Sequence, residues 1–363
     1  MTADSRTSLP CPDCDPQPAA QTAAPGLARR DFLRVTSAGV AAVALGGGRL
    51  FADDKPASTS SSGKETPETL TKKLYDSMNK DQRKEVCFPW DYKDPQLGLL
   101  RTRISNNWHI TSPAILSDYY TSDQKEIVRA IYEGIISPEW KDRVDKQLKD
   151  DNNGKTWGND QNIAIFGTPG DGKFELVMTG RHMTIRCDGN STDHMAFGGP
   201  IFYGHAASGF TEKEGHPGNV YWEQALEANK VYEMLDGKQR GKAEVSKTWP
   251  ESQVQFQGEK GTFAGIPIAD LTSDQKEQMQ KVLQKLIEPY RQSDRDEVLA
   301  CLKTQGGLDK CSLAFFTDAD LGKDKVWDNW RLEGPSFVWN FRSVPHVHCW
   351  VNIADSADVK LNS

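Results

Sequence analysis

Apolar residues recur at two different periods along this 363-residue chain, and the change of period divides it. From residue 66 to 150 the spacing is helical. Thr66-Pro67-Glu68 supplies a hydroxyl cap, a proline at the first helical position and an acid in the first turn, and Leu70, Leu74 and Met78 follow on one face. Thr121-Ser122-Asp123 opens a second helix striped by Ile127, Ile131 and Ile135. A third runs from Pro138 to about Asp150 with Trp140, Val144 and Leu148. Strand patterns take over at 162–166 and, after the turn 167–173, at 174–187. This reads as a hairpin with a long second arm, in which Gly180 marks a bulge and His182, Thr184 and Arg186 share one face. Helical spacing returns at 221–235, 271–290 and 293–302. Strands return at 312–317 and 331–353, the last as two runs broken at Pro345.

The pattern predicts an α+β fold: a mainly antiparallel sheet from 162–187 and 312–353, packed against helices of 67–150 and 220–302, in a single large domain over 67–363. Four helical segments begin alike, at Asp81-Gln82-Arg83, Asp123-Gln124-Lys125, Lys238-Gln239-Arg240 and Asp274-Gln275-Lys276. Their spacing is irregular, so they read as a recurring helix-start signature and not as a solenoid period.

The first 52 residues stand apart from this pattern. Arg29-Arg30 precede Phe32-Leu33 and an apolar run, 38–45, too short to span a bilayer. That is the layout of a twin-arginine export signal, with cleavage expected after Ala52. The twin-arginine translocase is then a partner during export. The mature chain is expected in the periplasm or otherwise exported, with no integral membrane segment. Cys11 and Cys14 lack a second C-x-x-C and leave with the signal, and the Ser-rich stretch 53–66 reads as a flexible linker. Losing five basic and four acidic residues takes the net charge from -7 to -8. An acidic chain without basic clusters argues against nucleic acid as a partner. No G-x-G-x-x-G, P-loop or G-x-S-x-G occurs, which argues against a nucleotide cofactor and the common serine-hydrolase site.

Histidine placement carries the candidate chemistry. In an extended 346–351 the alternation puts His346, His348 and Trp350 on one face and Val347, Cys349 and Val351 on the other. Two imidazoles one pleat apart, about 7 Å between Cα atoms, can converge on one ion, and neutral imidazole suits zinc and copper. His182 sits on a polar strand face, and His194, His205 and His216 lie in the glycine-rich stretch 188–218. The ligand set predicted for one transition-metal ion, zinc or copper, is therefore His182, His346 and His348 with His205 as fourth. Asp188, Glu333 and Asn340 are candidates to support it. A shared ion requires a nitrogen of His182 within about 5 Å of one in His346 or His348, and so requires their strands to lie close in one sheet.

The order of motifs resembles a family of uncharacterised proteins, domain-of-unknown-function family number 3500. The likeness rests on 74–88 with its Asp81-Gln82-Arg83, on Gly180-Arg181-His182, on Gly199-Pro200 with Phe202 and Gly204, and on Gly334-Pro335 leading to Pro345-His346-Val347-His348. Arg181 stands where the family typically shows a histidine, and Asn340 where many members have a glutamate. The resemblance implies no activity.

Three functional readings follow. The first is a metal-dependent hydrolase or oxidoreductase. The second is a non-catalytic exported protein binding an unidentified small molecule in a cleft lined by Trp339, Trp350, Phe202 and Tyr203. The third is metal-free hydrolysis with Cys349 as nucleophile and a histidine as base. Cys301 and Cys311 could close a short disulfide loop, but the five cysteines after the signal leave at least one thiol unpaired.

Overall fold

The computed structural model describes residues 65–189, 195–206, 220–318, 320 and 326–359. The predicted export signal, most of the predicted linker, Cys11, Cys14, His194 and His216 lie outside them.

The first run of elements is α1 (Pro67–Ser77), α2 (Lys80–Val86), β1 (Cys87–Phe88), α3 (Ser122–Ile135), α4 (Lys141–Asp151), β4 (Asn162–Gly167), β5 (Phe174–Gly180), β6 (Met183–Cys187) and β7 (Ile201–His205), with a small hairpin β2 (Lys93–Asp94) and β3 (Gly98–Leu99) after β1. The second run repeats the order: α5 (Trp222–Met234), α6 (Gly237–Ala243), β8 (Glu244–Val245), β9 (Ile266–Pro267), α7 (Ser273–Ile287), α8 (Gln292–Thr304), β10 (Ser312–Phe316), β11 (Asn329–Gly334), β12 (Phe337–Arg342) and β13 (Val347–Ile353). Apart from the two-stranded β2–β3 sheet, the strands form one sheet in the order β1-β4-β5-β6-β7-β13-β12-β11-β10-β8, with β9 beside β10. Only β1 on β4 and β8 on β10 pair parallel. The expected α+β architecture is the observed one.

The recurring helix-start signature has a structural meaning beyond capping. Asn79, Thr121, Asp236 and Thr272 cap α2, α3, α6 and α7, and in each the glutamine three residues on closes a capping box. The same glutamines then pair across helices. Gln82 Nε2 donates to Gln124 Oε1 at 2.8 Å, and Gln239 Nε2 donates to Gln275 Oε1 at 2.9 Å. Each pair is tied to the preceding helix, through Gln124 to the Ser77 carbonyl and through Gln275 to the Met234 carbonyl. Arg83 lies over the Tyr75 ring as Arg240 lies over the Tyr232 ring. The four signatures are thus one two-helix lock built twice. Unequal insertions after β1 and β8 hide the period.

Strand register shows that the two runs are related by a local two-fold axis. Gly180 faces Met183 across the β5–β6 hairpin and Gly334 faces Phe337 across β11–β12, which equates Arg181-His182 with Pro335-Ser336. Met183 then faces Tyr203, and Phe337 faces Ile353, which equates Ile201 with Val351. These last two residues face each other across the antiparallel β7–β13 seam, as equivalent residues at a dyad must.

One sheet face carries Ile163, Met178, Ile185, Tyr203, Cys349 and Trp339 and is covered by the helices in the main core. The other is covered by irregular chain: Leu100 and Ile110 pack on Ala164, Phe166 and Val177, while Val254 packs on Phe202, Val338 and Trp350. Among the described residues no helix is long and apolar enough to cross a membrane.

Candidate metal centre

The long strand predicted over 174–187 is two strands. Arg181-His182 form the two-residue connection between β5 and β6, and His182 has φ 55°, outside the extended region. The turn is pinned from outside the sheet: Arg181 N donates to Asp160 Oδ2 and His182 N to the Asn106 carbonyl, both at 2.9 Å. Gly180 therefore ends a strand, where a bulge was expected, and His182 projects from a loop tip at the sheet's end. A loop position frees it from strand alternation, so it can turn toward β13.

It does so across an intervening strand. β6 and β13 are not adjacent; β7 lies between them, with Gly204 opposite His348. A Cβ at Gly204 would lie 3.3 Å from His182 Cδ2 and 2.3 Å from the Val347 carbonyl oxygen. Glycine is what lets the ring pass.

His182 Nε2 is 3.1 Å from His348 Nε2, and His346 Nε2 is 3.0 Å from His348 Nε2. The three residues are buried and form the one group of potential metal ligands found among the described residues, with ligand atoms within 4.8 Å of one another. Three nitrogens at 2.0–2.1 Å from a tetrahedral ion would sit about 3.3 Å apart, so the cluster is close to the required size.

The other ring nitrogens face carboxylates. His182 Nδ1 is 3.0 Å from Asp151 Oδ2 at the end of α4, and His348 Nδ1 is 3.2 Å from Glu251 Oε1. Asp151 is itself held by Gln147 Nε2 and the Ala206 N–H, both at 2.8 Å. Burial would raise the Asp151 carboxyl, but the His182 imidazole holds it below the ordinary aspartate value. Arg342 pairs with Glu251 at 2.8 Å through Nε and also touches His348 Nδ1 through Nη2. Burial pushes His348 well below the ordinary histidine pKa, and Arg342, His182 and His346 add to the shift, so this imidazole is neutral at pH 7. The Asp151 carboxylate at His182 Nδ1 favours the tautomer with its proton there and a lone pair at Nε2, whereas at His348 Nδ1 the Glu251 carboxylate and the Arg342 guanidinium, which can only donate, favour opposite tautomers. Lone pairs converging at 3.0–3.1 Å repel each other unless a proton or a cation lies among them.

His205 is not in the cluster. Its side chain shares the helix-covered face with Tyr203, and its Nε2 meets Asp150 Oδ2 at 3.0 Å. Asp188 lies just past the far end of β6, beside Asp294 and Glu297. Glu333 pairs with Arg331 at 2.9 Å, and Asn340 lies against Arg331 and opposite Trp350 on the neighbouring strand. Those three therefore support other parts of the sheet. The four aromatic residues divide between the faces. Phe202 and Trp350 lie on the cluster's face, whereas Trp339 and Tyr203 are buried among the helices and joined by a 3.1 Å hydrogen bond. They cannot line one cleft. Cys349 is on the helix-covered face, where burial drives its thiol pKa well up, the reverse of what a nucleophile needs. All five described cysteines are free thiols, so Cys301 and Cys311 form no disulfide.

Sequence reasoning missed Asp151, Glu251, Arg342 and Gly204. The Asp150-Asp151 pair ending a helix was a visible signal, but nothing local says which turn it faces. Glu251 reaches the site from a coil that carries no pattern.

The match to the family model described as "Protein of unknown function (DUF3500)" covers residues 62–357, from the first helix to beyond β13. No curated protein and no solved structure matches. With most of its length inside that match, the chain belongs to the DUF3500 family.

Proposed function

We propose that His182, His346 and His348 hold one zinc or copper ion through their Nε2 atoms, and that the protein is a metal-dependent hydrolase working in the periplasm. The observation that carries this reading is the convergence of three buried imidazoles, with His348 Nε2 3.1 Å from that of His182 and 3.0 Å from that of His346, all ligand atoms within 4.8 Å of one another, and a carboxylate behind two of the rings. Three imidazoles leave a coordination position for water or substrate, and zinc in such a site lowers the pKa of bound water to about 7. Asp151 and Glu251 orient the rings and raise their basicity. With copper, the same open position would serve redox chemistry.

The paired arginines of the N-terminus belong to the same reading, because the twin-arginine route carries folded proteins and so suits a centre assembled before export. Elemental analysis of protein purified from its native compartment tests the metal. About one ion per chain is expected in the wild type, and below one tenth in His348→Ala and His182→Ala. A wild type without bound metal, which also fails to take up added zinc or copper, overturns it. The identity of the ion separates hydrolysis from redox chemistry, and hydrolysis of p-nitrophenyl ester and phosphate substrates that disappears in His348→Ala checks the reaction. Arg29→Lys with Arg30→Lys is expected to hold the protein in the cytoplasm.

A further inference from the structure

Arginines on the sheet face that carries the histidine cluster are matched to carboxylates. Arg101 and Arg186 flank Glu175 at 2.9 Å each, Arg331 pairs with Glu333, and Arg342 pairs with Glu251. Arg103 is the exception. Its guanidinium makes no ion pair and no hydrogen bond among the described residues, Nε is buried without a partner, and the nearest aromatic ring is Trp108 at 5.6 Å. Burial depresses its pKa, opposed by the charge of Asp94 from beyond ion-pair distance. A half-buried, unpaired guanidinium is costly, and an anion is what relieves it.

Arg103 borders a cavity of about 580 Å³ on this face, a volume in the range of small-molecule sites. Ile104, Val254 and Trp350 give it an apolar wall, and Ser252 and Gln255 give it polar points. Phe202 backs the wall, its ring 4.8 Å from that of Trp350. Asp94, the other charged residue of the lining, already accepts the N–H groups of Gln96 and Leu97 through Oδ1. One cation, one occupied anion and an apolar wall suit a singly charged ligand with a hydrocarbon body. A guanidinium fork matches a carboxylate bidentately.

We propose that this groove binds a small organic carboxylate, with the carboxylate on Arg103 and the apolar body against Ile104, Val254 and Trp350. The inference does not depend on the ion: the groove and the cluster share a sheet face, but none of the three histidines lines the groove, and the cluster meets its wall through Phe202, whose ring is 5.2 Å from that of His348. The test is calorimetric titration of the full chain stripped of metal, using hexanoate, phenylacetate and 4-phenylbutyrate, with the corresponding amides as neutral probes. Saturable binding of at least one acid is expected, at least ten-fold tighter than its amide. Arg103→Gln, which removes no bond from the fold, should weaken it ten-fold or more with the thermal midpoint unchanged. Val254→Trp should abolish it by filling the groove, and His348→Ala should leave it intact. No saturable binding, equal binding of acid and amide, or an unchanged affinity in Arg103→Gln would each overturn the proposal.

Discussion

The two ends of the central sheet are built from equivalent pieces and do different things. At one end the β5–β6 turn presents His182, the approach to β13 presents His346 and His348, and β12 ends in Arg342. At the other the same positions hold Ser336, Ala196, Gly198 and Asp188. Ser336 is occupied with structure: its N–H donates to Gln305 Oε1 at 2.9 Å and its hydroxyl to the Ala354 carbonyl at 2.7 Å. Gln305, just past α8, serves Ser336 as Asp151, ending α4, serves His182. Phe197 N–H meets Glu297 Oε2 at 3.0 Å where the first end has its imidazoles. The scaffold alone therefore specifies no chemistry. A helix end facing a hairpin turn supports either a ring's tautomer or a buried turn, and the side chain at the turn decides which.

If that reading is right, exchanging turn residues should have unequal effects. His182→Ser should remove nearly all bound metal, measured by elemental analysis, whereas Ser336→Ala should leave the metal content of the wild type and cost about 1 kcal/mol in urea unfolding, the worth of an ordinary buried hydrogen bond. Metal loss in Ser336→Ala would break the comparison.

The seam between the halves gives the next largest effect. Gly204→Ala places a methyl 2.3 Å from the Val347 carbonyl oxygen and must part β7 from β13 or displace His182. A loss of roughly 3 kcal/mol or more in the same measurement is expected, at the upper end of overpacking costs.

Smaller effects should follow from the doubled lock. Gln82 is buried and also donates to the Tyr119 carbonyl, whereas Gln239 is half-buried, so alanine substitution should cost about 2 kcal/mol at Gln82 and about 1 kcal/mol at Gln239. Equal and negligible losses would mean that the glutamine pairs only cap.

The ends also differ in pH response. Burial, with Asp188 and Asp294 nearby, pushes the Glu297 carboxyl up to about 8. A carboxyl with a raised folded pKa stabilises the fold below its unfolded value, near 4.5, and that contribution is lost as pH rises toward 8. Glu297→Gln should therefore raise the thermal midpoint by a few degrees at pH 8 and change it little at pH 5. A rise at pH 5 as large as at pH 8 would show that packing, not charge, sets the effect.

Much of this architecture was legible in the sequence because it rests on local signals. Caps at Thr66, Thr121 and Thr272 and the apolar stripes behind them placed α1, α3 and α7, and alternation in 346–353 put His346 and His348 on one side. What was not legible depends on register between distant segments. Arg181-His182 carries no glycine, asparagine or proline of its own to announce a turn, so 174–187 read as one strand. His205 has the same local surroundings as a ligand would, and only the pairing of β7 with β13 turns it to the other face. The duplication left its trace in the helix starts, but insertions of unequal length erased its period.

The histidines of the cluster come from both halves, one from the first and two from the second, and this bears on how such a molecule could have arisen. In a symmetric dimer of one ancestral half, any residue introduced at a turn occurs at both ends at once, and neither end can be altered alone. Joining the halves in one chain removes that constraint. One end is then free to gather imidazoles while its twin settles for serine and small residues, so a single histidine-bearing pole is something a symmetric dimer cannot encode.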